Sequence, residues 1–299
     1  MEIRHDHRPD RPHVDVIVND SISILATYSG LILTICLVVI FFIRFYIFER
    51  FLLRRIYGTK YTSMTDEAVR RGFVNHHVAG MIKIVLLIVA VYPFMSVAFG
   101  SATMHSFFVG KGGATMGDVL VVCSQLFVSM YVFELFYRPK ISPISSLHHI
   151  GAIVIAQSAV AISLDFEHEV DATIEFILCF VWGAFDVIAE FWPHLAIILY
   201  RIYPDNHAFL IKIFRAATFT EAAGTLVETV VVMWLFGGLW SRWTLPFKII
   251  TPILHVLFSV AQLWGAIIFR RMWKRQEQLL MEKTANVEAH PRIEKTQEK

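Results

Sequence analysis

Charged residues are scarce in this chain of 299 residues. Only 17% of the residues are Asp, Glu, Lys or Arg, whereas 56% are hydrophobic. A soluble domain needs a polar surface, and this composition leaves too little polar material to cover one. The first apolar run, residues 22–43, carries no charge and is long enough to cross a hydrocarbon core about 30 Å thick. The sequence therefore predicts a multi-pass membrane protein.

Cysteine is also scarce, and several common site motifs are missing. The three cysteines (Cys36, Cys123 and Cys179) all lie in apolar runs, which argues against a disulfide framework. The glycine-rich stretch at 110–117 lacks the Lys-Ser/Thr ending of a phosphate loop, and no HxxHH or HExxH run occurs. The net charge of +2 forms no basic patch of the kind that binds nucleic acid. We therefore predict no metal, no cofactor and no nucleic-acid partner, and protein partners stay unknown.

Apolar runs predict an all-α fold with seven transmembrane helices. The runs cover about 22–43, 78–99, 119–137, 147–164, 172–200, 211–240 and 245–269. The first 21 residues are polar and lack the apolar core of a cleaved signal peptide. The chain thus divides into a polar N-terminus (1–21), a first helix with a basic segment (22–59), a six-helix membrane domain (60–270) and a tail (271–299).

Lysine and arginine counts predict the orientation of these helices. Nineteen of them lie on the side that holds the segment 44–75 and the tail, and five lie on the opposite side. Because cytosolic segments carry the excess of positive charge, the N-terminus is predicted to be lumenal and the C-terminus cytosolic. An endoplasmic reticulum or other secretory-pathway membrane suits this arrangement.

Ionisable residues inside the predicted spans are the main functional clue, because each costs roughly 2.5–3.5 kcal/mol at mid-membrane. His148 and His149 open the fourth span, and Asp186, Glu190 and His194 share one face of the fifth by their i, i+4, i+8 spacing. The other candidate lining residues are Arg215, Glu221, His255 and His77. We predict that these residues of several helices line a cytosol-facing polar cavity, with His148 or His149 in reach of Asp186 or Glu190.

Other polar residues in or beside the spans are expected to have structural roles only. Glu134 and Arg138 are four residues apart and are predicted to form an ion pair on one helical face. Lys83, Lys212 and Lys248 are expected to extend their ammonium groups to a membrane interface.

Three segments, taken together, resemble the TLC-domain family of membrane proteins, which includes the ceramide synthases. They are "RRGFVNHHVAG", "VSMYVFELFYRPKISPISSLHHIGAIV" and "FDVIAEFWPHLAIILYR", in that order within residues 60–270. The resemblance implies a leading helix plus a six-helix bundle around a cavity. In the ceramide synthases the paired histidines and downstream aspartates are catalytic, which carries over to His148, His149 and Asp186. Gly183 stands where a second acidic residue is expected, which favours a non-synthase member.

Two functions follow from this resemblance. The chain either handles or senses membrane lipids, or it is a ceramide-synthase-like N-acyltransferase that joins a fatty acyl-CoA to a sphingoid base. In the second case one histidine acts as base or acyl carrier and Asp186 orients it. A seven-helix receptor and a metal or haem membrane protein are lesser alternatives.

Overall fold

The computed structural model describes residues 21–165 and 172–289. Every regular element in these two ranges is helical, and one isolated β-bridge joins Phe107 to Thr115. The all-α prediction is confirmed for this part of the chain. Residues 1–20 of the polar N-terminus (1–21), most of the loop at 165–171 and the end of the tail (290–299) lie outside the described residues.

Seven long helices and one short helix follow each other along the described ranges. They are α1 (Ile24–Tyr57), α2 (Thr59–Thr62), α3 (Glu67–Ala98), α4 (Met116–Tyr137), α5 (Pro143–Ile162), α6 (Ala172–Ile202), α7 (His207–Gly238) and α8 (Leu245–Ala289). Within α1, the segment Ile43–Leu52 is a π-helix. A 3-10 turn, Ser163–Asp165, follows α5.

Side-chain caps explain why several helices begin before the apolar runs do. The Asp66 carboxylate accepts hydrogen bonds from the backbone N–H groups of Ala68 and Val69 and starts α3. Ser142 caps α5, with Pro143 in the first turn. An apolar run marks the part of a helix that suits lipid, whereas the cap marks where the helix begins. The helices therefore begin before residues 78 and 147, where the predicted membrane spans start.

Six of the helices are long and apolar enough to cross a membrane: α1, α3, α4, α5, α7 and α8. The outer surface carries many large apolar side chains that are more than half exposed, such as Ile88, Phe136, Val154 and Leu226. A soluble monomer rarely exposes so much apolar surface, so this surface suits lipid contact. The chain is compatible with a multi-pass membrane protein, and the count of seven spans stays a prediction.

Helix packing brings the middle of the chain around one centre. α3 packs on α4, α4 on α5, α5 on α8, α8 on α7, α7 on α6, and α6 returns to α3. α1 packs on α4, and its π-helical part also contacts α3. The polar faces of α3 to α6 meet inside this cycle, and the candidate site lies there.

Candidate functional site

His148, in the second turn of α5, faces two carboxylates of α6. Its Nε2 lies 3.2 Å from Asp186 Oδ1 and 3.4 Å from Glu190 Oε1. Asp186 and Glu190 are four residues apart, so both project from the same face of α6. The side chains of His148 and Asp186 are only 6% and 8% exposed. The structure thus brings together the histidine and the two acids that the sequence predicted to lie within reach.

Lys83 of α3 supplies the cation for this acidic pair. Its Nζ lies 2.8 Å from Glu190 Oε2 and 4.0 Å from Asp186 Oδ2, and the lysine is fully buried. The expectation that Lys83 reaches a membrane interface is therefore wrong. α3 begins at Glu67, so Lys83 lies more than four turns inside the helix, too deep for its side chain to leave the bundle.

Tyr131 of α4 completes the cluster around Asp186. Its hydroxyl donates a hydrogen bond to Asp186 Oδ2, and the tyrosine is fully buried. The same ring stacks on the ring of His149, with centroids 4.4 Å apart. Sequence reasoning missed Tyr131 as a site residue. The signal was a tyrosine three residues before Glu134, which places both on neighbouring positions of one helix face.

A second histidine–carboxylate pair lies beside the first. His149 Nε2 is 2.9 Å from Glu134 Oε2, and the Asn75 side chain donates to Glu134 Oε1 over 2.6 Å. The predicted Glu134–Arg138 ion pair is wrong. The Glu134 carboxylate contacts His149 and Asn75 instead, and no ion pair joins it to Arg138 among the described residues.

His148 leaves its buried Nδ1 without a hydrogen-bond partner among the described residues, while its Nε2 faces Asp186. Neither ring nitrogen of His149 forms a hydrogen bond to a described residue, although its Nε2 lies 2.9 Å from Glu134 Oε2. A carboxylate on one nitrogen orients an imidazole and stabilises its protonated form, and the other nitrogen is then available to exchange a proton. His148 therefore has the arrangement that general acid–base chemistry requires.

The remaining predicted lining residues divide between this cluster and other places. His194 of α6 pairs with His76 of α3, with their Nδ1 atoms 2.9 Å apart. His77 instead points to Tyr57, whose hydroxyl is 2.8 Å from His77 Nε2. Because neighbouring helical residues diverge by about 100°, His76 and His77 face different helices. His77 therefore does not join the His148 cluster.

Of the three remaining predicted residues, Glu221 and His255 lie inside the bundle, on α7 and α8, and Arg215 lies outside it. Glu221 of α7 is buried beside the backbone of Gly265 in α8, where an added Cβ would be 3.0 Å from its carboxylate. His255 of α8 accepts a hydrogen bond from Trp182 Nε1 over 3.2 Å. Arg215 is exposed and lies over the ring of Trp273, so the prediction that it lines the cavity is wrong. Six helical residues separate Arg215 from Glu221, which turns them about 120° apart.

His148, Asp186 and Glu190 are close enough to share a metal ion, because one ligand atom of each lies within 4.8 Å of the others. The Lys83 ammonium already contacts Glu190 at 2.8 Å and lies 4.0 Å from Asp186. A divalent cation would have to displace this lysine from a fully buried position. The arrangement therefore suits proton chemistry better than metal binding.

An apolar cavity of about 370 Å³ adjoins the cluster. Leu87, Phe94, Phe127, Phe180 and other side chains of α3, α4 and α6 line it. Two residues of its wall, Val91 and Ile188, are 52% and 53% exposed on the outside of the bundle. The cavity therefore reaches the lipid-facing surface between α3 and α6.

A smaller cavity, about 50 Å³, lies beside both the apolar cavity and the polar centre. Its wall includes His148, Asp186 and Glu228. The two cavities share the four wall residues Phe127, Ala156, Cys179 and Gly183. A polar group at His148 and an apolar chain in the larger cavity could thus belong to one ligand.

No protein-family model, no curated protein and no solved structure matches this chain.

Proposed function

We propose that the chain is a TLC-type membrane protein that handles or senses a membrane lipid. The lipid's polar end lies at His148 and its apolar chain lies in the cavity between α3 and α6. The observation that carries this proposal is the shared wall between that cavity and the smaller one beside His148 and Asp186. Apolar pockets with a few convergent polar groups are typical of small-ligand sites, and 370 Å³ is within their usual size range.

The same proposal includes the membrane arrangement. The chain crosses the membrane seven times, with α1 leading a six-helix TLC-type bundle, a lumenal N-terminus and a cytosolic C-terminus. It resides in the endoplasmic reticulum or another secretory-pathway membrane and takes part in lipid metabolism. The site opens toward the cytosol, because the helix ends nearest His148 carry most of the arginine and lysine residues.

The second candidate is an N-acyltransferase that uses a fatty acyl-CoA and a sphingoid base. The unpartnered Nδ1 of His148 favours it, because Nε2 of that ring already faces Asp186. In this scheme Nδ1 takes a proton from the amine as its nitrogen attacks the thioester carbonyl. The carbon–sulfur bond then breaks, the thiolate takes a proton, and an amide and a free thiol result. Asp186 and Glu190 stabilise the protonated ring between these two steps.

The test replaces His148 with glutamine in a host that lacks the endogenous protein. Glutamine keeps a donor near the position of Nε2 but cannot exchange a proton at neutral pH, so the protein should accumulate normally. We expect the lipid profile of His148→Gln cells to equal that of the null strain. Membranes supplied with fatty acyl-CoA and sphingoid base then separate the candidates. An N-acyl product that is lost in His148→Gln identifies the acyltransferase, and no product in the wild type identifies lipid handling.

The matched control is His207→Gln, at a histidine of α7 whose Nδ1 pairs with Gln276 at 2.7 Å, outside the cluster. It should leave the lipid profile of the wild type unchanged. The proposal fails if His148→Gln cells keep a wild-type profile at normal protein abundance. It fails equally if the null strain itself shows no change in membrane lipids.

A further inference from the structure

A third cavity, polar and about 680 Å³ in volume, lies where α1 ends, α3 begins and α4 ends. Five arginines line it, Arg44, Arg50, Arg54, Arg70 and Arg71, against only two acids, Glu49 and Glu67. A cavity with this excess of guanidinium groups attracts anions. None of these residues takes part in the His148 cluster.

Three of the arginines pack on aromatic rings of the protein, Arg50 among them with its guanidinium carbon 4.4 Å from the centre of the Phe45 ring. The guanidinium carbons of Arg44 and Arg71 lie 4.4 Å and 4.9 Å from the centre of the Tyr137 ring. Arg44 also pairs with Glu49 at 3.0 Å. The Nε atoms of Arg44 and Arg71 are nevertheless buried without a hydrogen-bond partner among the described residues. Burying an N–H group without a hydrogen-bond acceptor lowers the stability of the folded protein.

The acids of the cavity do not neutralise the remaining arginines. Glu49 is engaged by Arg44 and by the Tyr137 hydroxyl, and Glu67 contacts Arg71 at 3.6 Å. Arg50, Arg54 and Arg70 form no ion pair with any residue in the ranges 21–165 and 172–289. Three like charges around one cavity repel each other, and an anion between them would remove that repulsion.

We infer that this cavity binds a phosphate group, with Arg54 and Arg70 as its main donors. Guanidinium groups form paired, charge-assisted hydrogen bonds to phosphate oxygens, which is why arginine is preferred at phosphate sites. The phosphate can belong to a membrane lipid, because α1 and α3 present apolar surface beside the cavity, or to a soluble molecule. The inference does not depend on the role of His148.

The position of the cavity places a bound phosphate close to the polar centre. Arg71 and Asn75 are one turn apart on the same face of α3, about 6 Å along the helix. Asn75 donates to Glu134, which contacts His149. A phosphate in the arginine cavity would therefore lie one helical turn from the second histidine–carboxylate pair.

The test measures lipid binding to the purified full-length protein in detergent by native mass spectrometry. The probes are phosphatidic acid and diacylglycerol with the same acyl chains, and the protein variant is Arg54→Gln with Arg70→Gln. We expect wild-type protein to bind phosphatidic acid more tightly than diacylglycerol. The double variant should bind phosphatidic acid at least about tenfold more weakly, because it loses charge-assisted hydrogen bonds to the phosphate.

The matched control is Arg55→Gln with Lys140→Gln. Both residues are exposed near the same end of the bundle and neither lines the cavity, so the pair removes equal charge from the same region. It should bind phosphatidic acid like the wild type, within about twofold, because distant exposed charges are screened by salt. Circular dichroism and melting temperature should match the wild type for both double variants.

Soluble adenosine 3′,5′-bisphosphate, added as a competitor, identifies the source of the phosphate. If the competitor displaces phosphatidic acid from the wild type but not from the Arg54→Gln, Arg70→Gln variant, the cavity is assigned to a soluble phosphate. No displacement assigns it to a lipid headgroup. Equal losses in the two double variants, or equal binding of the two lipids by the wild type, would overturn the inference.

Discussion

Replacing Lys83 with methionine should sharply reduce the amount of folded protein. Lys83 is fully buried and contacts Glu190 at 2.8 Å, and Asp186 lies 4.0 Å away. Methionine fills similar space but leaves these carboxylates without their lysine. Removing one partner of a buried ion pair typically costs about 3–5 kcal/mol, which is a large fraction of the stability of most proteins. Abundance in membranes and the melting temperature of the purified protein measure the effect.

The loss should be reversed by removing the stranded charges. Adding Asp186→Asn and Glu190→Gln to Lys83→Met should restore most of the protein, because the cluster is then neutral. Lys212→Met is the control, since Lys212 is exposed on α7 and should tolerate the change. If Lys83→Met accumulates like Lys212→Met, the buried lysine does not balance the acidic pair.

Replacing Gly183 with leucine should abolish lipid binding while the fold is kept. Gly183 lines both the apolar cavity and the smaller one beside His148, and a Cβ added there meets no atom within 4 Å. A leucine side chain would extend into the space that the proposal assigns to the lipid. Leucine also has a more favourable helix propensity than glycine, by about 0.8 kcal/mol. We expect an unchanged or higher melting temperature, together with at least about tenfold less co-purified lipid, or about 1.4 kcal/mol.

Gly30→Leu provides the comparison for this variant. Gly30 is an exposed helical glycine of α1 that also has open space around its Cα, but it lines neither cavity. The Gly30→Leu protein should show the same unchanged or higher melting temperature as Gly183→Leu but should keep its bound lipid. A Gly183→Leu protein that retains its full complement of lipid would show that the ligand lies elsewhere.

The sequence predicted those parts of the site in which both residues belong to the same helix, because spacing along one helix determines their relative direction. Asp186 and Glu190 are four residues apart, so any partner of one is close to the other, and His148 contacts both. The apolar runs likewise predicted helices over most of the described ranges, because lipid requires satisfied backbone groups. These inferences depend on the 3.6-residue period and not on which helices become neighbours.

Lys83 shows where sequence reasoning failed and why. The apolar run begins near residue 78, so Lys83 seemed close enough to the membrane surface to reach water. The Asp66 cap starts α3 much earlier, and the packing of α3 on α6 puts Lys83 beside Asp186 and Glu190. The partner of a buried charge depends on helix neighbours, which a single sequence does not specify.

Arg138 and Arg215 illustrate two other limits. For the first, the spacing pointed to Glu134, but the Glu134 carboxylate contacts His149 and Asn75 of other helices. The second belongs to a polar pattern with steps of three residues, which rotates around the helix and leaves Arg215 outside. In the first case the spacing did not specify the partner, and in the second it did not keep the residue on the inner face of the helix.

The most direct test of the proposed lipid site is a cryo-electron microscopy structure of the protein in lipid nanodiscs. The account predicts elongated density in the cavity between α3 and α6, with its polar end in hydrogen-bond reach, about 3 Å, of His148 Nδ1 or Asp186. Well-resolved side chains around a cavity without such density would contradict it. So would a lipid bound there with its polar end directed away from His148.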